Sequence, residues 1–170
     1  MSLLPPLPPS PAPIRLLGRL IDWTVVAMGA AIVVVVFVNV VMHQLDYDIA
    51  WTTELGEFVM VWATFLGAAA ATRRGGHMAI TEFIDLARGK LRLAVELAIQ
   101  ALVVLMLVLL AWYGWGCVMA NWGNLLTVLD WPMAWQYLAL PLGSACSLVF
   151  VVYDVLLMIQ GKSRAERYGE

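Results

Sequence analysis

Hydrophobic residues gather in four long blocks, roughly Trp23–Met42, Trp51–Thr72, Leu97–Met119 and Trp135–Ile159, and the segments between them collect charge, glycine and proline. Each block approaches the ~20 residues with which a helix crosses ~30 Å of hydrocarbon. The pattern predicts an all-α membrane protein with four transmembrane helices.

The segments outside the blocks have patterns of their own. Met1–Pro13 holds six of the eight prolines; these fix φ and remove amide donors, which predicts an extended, disordered arm. Residues 14–170 then form a single four-helix membrane domain. From Ile14 to Asp22, Arg15, Arg19 and Asp22 interleave with Leu16, Leu17, Leu20 and Ile21, a spacing that predicts a short interfacial helix at the inner surface. His43-Gln44 and the short loop Leu45–Ala50, with Asp46 and Asp48, join the first two spans into an antiparallel hairpin.

The second span closes on Arg73-Arg74-Gly75-Gly76. Cations suit a helix C-terminus, and glycine supplies the left-handed turn that ends one. Beyond it, Ile80, Phe83, Ile84, Ala87 and Leu91 recur at helical spacing while Thr81, Glu82, Asp85 and Arg88 fall on other faces. This predicts a short amphipathic interfacial helix between spans two and three, flat on the cytoplasmic surface. Pro141, inside the fourth span, predicts a kink.

Charge gives the spans a direction. All ten lysines and arginines lie before the first span, between the second and third, or after the fourth, and the other two loops have no cation. Positive charge stays cytoplasmic, so both termini are expected inside. Trp112, Trp115, Trp122, Trp131 and Trp135 crowd the opposite end, and tryptophan favours the headgroup boundary. The two signals agree.

Composition narrows the function classes. With 170 residues, 62% of them hydrophobic, the chain has no room for a separate catalytic domain. A net charge of −2 with acids spread over both sides gives nucleic acid no basic face to bind. The first apolar block exceeds a signal-peptide core of ~7–15 residues and no small-x-small cleavage site follows it, so retention as a signal anchor is expected. Cys117 and Cys146 sit inside spans without paired spacing and read as small apolar residues rather than as a disulfide or metal pair.

Few residues carry candidate chemistry. Glu54 and Glu57 stand three apart on one face near the start of the second span, and intramembrane acids are functional candidates by default. They read either as a proton- or cation-coupling site or as structural or subunit-contact residues held near a helix N-terminus. Asp22 and Asp154 lie at or near the inner ends of their spans, where they are expected to meet water or nearby cations. His43 and His77 fall on opposite sides, so they share no metal, and no span has the central histidine a haem would require. No nucleophilic triad or phosphate loop is present, and no cofactor is expected. Gly67-Ala68-Ala69-Ala70-Ala71 removes bulk from the inner half of the second span, for a helix of this chain or of a partner.

The residues also carry a family likeness. Asn39-Val40-Val41, Trp51, Glu54-Leu55, the run Val61 to Ala69, Arg73-Arg74-Gly75-Gly76-His77-Met78, and later Trp135 and Tyr137 to Gly143 resemble the small integral-membrane subunit of tripartite ATP-independent periplasmic (TRAP) transporters. The likeness covers the four helices but not the proline-rich arm. Family members often have Arg-Tyr where this chain has His43-Gln44, and a second acid where it has Thr53.

The resemblance implies a bacterial inner-membrane system of three parts. Its partners would be a large multi-span permease subunit, which holds solute and sodium, and a periplasmic solute-binding protein, with membrane lipids around the spans. This chain would brace the large subunit during sodium-coupled uptake of a carboxylate-type solute. Glu54, Glu57, Trp62, Gly67, Arg73 and His77 are the candidate subunit-interface or structural residues. Two other readings compete: a self-sufficient proton-coupled exporter using Glu54 and Glu57, and a purely structural membrane protein.

Overall fold

The computed structural model describes residues 11–47, 49–75 and 90–161, with residues 90–93 described by their backbone alone. It consists of α1 (Ala12–Gln44), α2 (Trp51–Arg73), α3 (Lys90–Ala120), the single turn α4 (Ala134–Tyr137) and α5 (Ala139–Ile159). Four spans, with α4 and α5 together as the last, are long and apolar enough to cross a membrane. Among the described residues there is no strand, only an isolated antiparallel bridge between Leu125 and Pro132. The arm through Ser10, the amphipathic segment expected from Ile80, His77 and the terminal cations Lys162, Arg164 and Arg167 lie outside the described residues.

Three sequence expectations need adjustment. The segment from Ile14 to Asp22 is not a separate interfacial helix: α1 runs unbroken for 33 residues, about 50 Å. Its first turns are held upright because Ile14, Leu17 and Ile21 pack into the core. The third helix extends back at least to Lys90, seven residues before its apolar block, because hydropathy marks the hydrocarbon crossing and not the extent of hydrogen bonding. The kink expected at Pro141 appears as a break one turn earlier, at Leu138 between α4 and α5, because in a straight helix the proline ring would meet the Tyr137 carbonyl four residues back. The end of α2 is as expected: Gly75 has φ of 76° and its amide reaches the Thr72 carbonyl at 3.1 Å.

The helices pack as an open series, α1 on α2, α2 on α5 and α5 on α3. Two glycines set the close approaches. A Cβ on Gly143 would lie 2.6 Å from Phe65 Cβ and 3.0 Å from its backbone, and one on Gly114 would lie 2.9 Å from Leu140 Cγ. Ala69 and Ala70 thin α2, so that Ile21 of α1 and Phe150 of α5 join one buried cluster around them. Away from these seams the apolar faces are open. No residue in the most apolar window of α1 is buried, against nearly half in that of the last span. Val33, Val34, Phe37 and Val40 on α1, and Leu102, Leu105 and Met106 on α3, are exposed.

Candidate functional site

Polar side chains in the spans cluster near the two ends of the helices, and most meet a partner within the chain. At the end where α1 begins and α2 finishes, Asp22 and Arg73 are both buried. Arg73 Nη2 donates to Asp22 Oδ2, and Arg74 Nη2 lies 3.1 Å from Asp22 Oδ1 without hydrogen-bond alignment. The Arg73 guanidinium also sits 6.0 Å above the Phe150 ring, a cation–π distance. Gly18, one turn before Asp22, makes room for it: a Cβ there would lie within 2.7 Å of Arg73 Cδ and Cζ. On α3 and α5, Gln100 Nε2 donates to Asp154 Oδ2 at 2.9 Å, with both residues buried. Asp22 therefore meets the cations its position suggested, but both aspartates are buried in helix seams rather than facing water.

At the opposite end, Thr52 joins α2 to α1. Its hydroxyl lies 2.6 Å from the Ile49 carbonyl and 2.8 Å from Asn39 Oδ1, and with a single proton it donates to one of them at a time. Glu54 reaches instead toward the loop between α3 and α4. Its carboxylate accepts from the Val128 amide at 3.0 and 3.1 Å and from the Leu129 amide at 2.9 Å. The loop is closed on itself as well: Leu126 donates to the Trp131 carbonyl at 2.8 Å, Met133 to that of Asn124 at 2.8 Å, and Asp130 takes a φ of 53°. Trp62 Nε1 donates to the Trp135 carbonyl at 3.1 Å, and Phe58 lies against both Trp62 and Trp131.

The candidate residues thus separate. Glu54, Trp62 and Arg73 are engaged inside the chain. Gly67 is half-buried, and a Cβ there would meet nothing within 4 Å, so the close contact in this region belongs to Ala69 and Ala70. Glu57 does not share the environment of Glu54. Three residues turn a helix through about 300°, leaving the two side chains about 60° apart. That angle is enough to put Glu54 at the α3–α4 loop and Glu57, exposed, in a groove against α1. Among the described residues Glu57 has no hydrogen-bonding or ionic partner.

The Asp22–Arg73 pair and the Gln100–Asp154 bond were not anticipated as pairs. The legible signal for the first was an acid and a cation at matching depth on two antiparallel neighbours, with a glycine one turn from the acid. No three metal-ligating side chains gather among the described residues. The arrangement offers internal fastening at both ends of the spans and apolar contact surface between them.

Comparison with known proteins agrees with this picture of a membrane component. The family described as tripartite ATP-independent periplasmic transporters, DctQ component, matches residues 32–161, which takes in the last 13 residues of α1 and all of α2, α3, α4 and α5. A search of curated proteins returns no significant match. The chain belongs to the DctQ family, the small membrane component of TRAP transporters.

Proposed function

We propose that this small permease subunit is a static brace for the large permease subunit, in sodium-coupled uptake of a carboxylate-type solute delivered by a periplasmic binding protein. The observation that carries the reading is the internal use of its polar groups. Asp22, Arg73, Glu54, Gln100 and Asp154 are held by the chain itself, which leaves little in the spans to coordinate a carboxylate or sodium. The broad open faces of α1 and α3 suit lasting contact with another membrane protein or with lipid. Sodium and solute accordingly belong to the large subunit, and this chain has no cofactor of its own.

Both termini lie in the cytoplasm in this reading. The cations Arg15, Arg19, Arg73 and Arg74 share one end of the helices and the exposed Trp112, Trp115 and Trp122 the other. The segment from Ile80 would then lie along the inner surface. Proton exchange by oligomerised copies is the weaker alternative, because Glu54, one of its two acids, is bound by loop amides.

Uptake in cells tests the role. With the large subunit and binding protein both present, deletion of this chain should abolish sodium-dependent accumulation of the solute, and its return should restore it. Unchanged uptake after deletion contradicts the reading.

A further inference from the structure

The groove between α1 and α2 is lined by Ile32, Val36, Asn39, Gly56, Glu57 and Met60, with a volume of about 260 Å³. Its floor is open to a neighbour: a Cβ on Gly56 would meet nothing within 4 Å. Val36 and Met60 on its rim are exposed. Glu57 stands seven residues into α2, about 9 Å below the end of that helix, and has no partner among the described residues. A carboxylate at this depth in an apolar wall demands a counter-charge or a donor. Glu54, three residues earlier, has found its donors in the loop; Glu57 has not.

We infer that this groove is the seat of a membrane helix of the large permease subunit, and that a lysine or arginine on that helix pairs with Glu57. The inference rests on the proposed function and adds a place and a chemistry to it. Charge complementarity selects the occupant. By sequence every lysine and arginine of this chain falls before Trp23, between Thr72 and Leu97, or after Ile159, so a second copy in the same orientation brings no cation to the level of Glu57. A different protein must supply it. Gly56 on the groove floor lets a helix backbone come close, and Asn39 beside Thr52 gives a second polar contact on the same wall.

Photo-crosslinking in native membranes tests the placement. A benzophenone amino acid is introduced at Met60 or Val36 in the groove, or at the exposed Met106 on α3 as a comparison. In parallel, retention of the large subunit on the tagged chain is measured for Glu57→Gln and Glu57→Lys. The expected result is adducts to the large subunit from positions 60 and 36, mapping within a turn or two of a basic residue. Retention should fall in Glu57→Gln and by about tenfold or more in Glu57→Lys, where like charges meet. The thermal midpoint of the isolated chain should stay unchanged in both, since Glu57 holds nothing inside it. Adducts at the mass of a self-dimer overturn the inference. So do large-subunit adducts from Met106 alone with retention unaltered in both variants, which would leave the brace reading intact but move its seam. If the unsubstituted chain retains no large subunit, the functional reading itself fails and the groove assignment falls with it.

Discussion

Arg73, the last residue of α2, turns back into the helix seam to reach Asp22, the eleventh residue of α1, and both side chains are almost wholly buried. The pair ties α1 to α2 at the end of the first hairpin opposite its connecting loop. Removing one partner of a buried ion pair leaves the other charge uncompensated, a change worth about 3–5 kcal/mol.

Asp22→Asn should therefore lower the thermal midpoint of the purified chain substantially. The double replacement Asp22→Leu with Arg73→Met, which removes both charges while keeping bulk, should recover much of the loss. Thermal unfolding in detergent, followed by tryptophan fluorescence, reads the difference. A double variant no more stable than Asp22→Asn would mean that the pair does not act as a unit.

Gly18 and Gly29 lie on the same helix in unlike surroundings. Alanine at Gly18 must displace the Arg73 guanidinium, whereas a Cβ at Gly29 meets nothing within 4 Å. Gly18→Ala should destabilise by about 1–3 kcal/mol, and Gly29→Ala should be neutral or mildly stabilising as a helix-favouring change. Equal midpoints for the two variants would contradict the tight fit around Arg73.

The same reasoning extends to the α2–α5 crossing, where Gly143 meets Phe65 through backbone as well as side chain. Gly143→Leu should force these helices apart and cause a larger loss than Gly18→Ala. Detergent-resistant folding of Gly143→Leu at the unsubstituted midpoint would argue against so close a crossing.

Glu54 ties the N-terminal turn of α2 to the tip of the α3–α4 loop. Glu54→Ala frees the Val128 and Leu129 amides, and because Val128 is exposed the cost is small, about 1 kcal/mol. The clearer readout is local: hydrogen exchange at residues 127–130 should accelerate while exchange at the Asp22 end of α1 stays the same. Uniform acceleration would indicate a global role instead.

Much of this architecture is legible in the sequence, and the reasons are physical. Crossing hydrocarbon demands an uninterrupted apolar block, so four spans and the glycine stop after Arg74 stand out in the sequence. Hydropathy reports depth but not azimuth. It therefore puts Asp22 and Asp154 near the ends of their spans without showing that each turns into a seam, and it groups Glu54 with Glu57 although about 60° of helix rotation gives them different neighbours. The continuity of α1 through Ile14–Asp22 was hidden because an interfacial helix and a buried helical extension share the same amphipathic spacing. Packing of Ile14, Leu17 and Ile21 against the core decides between them.

The most direct test of the brace is purification of the tagged chain from its native membranes in mild detergent, with the mass and composition of the complex determined. The account predicts a stable pairing with a much larger multi-span protein, the TRAP large permease subunit, in equal amount. Recovery of self-oligomers alone, or of a monodisperse and thermally robust monomer, would contradict it.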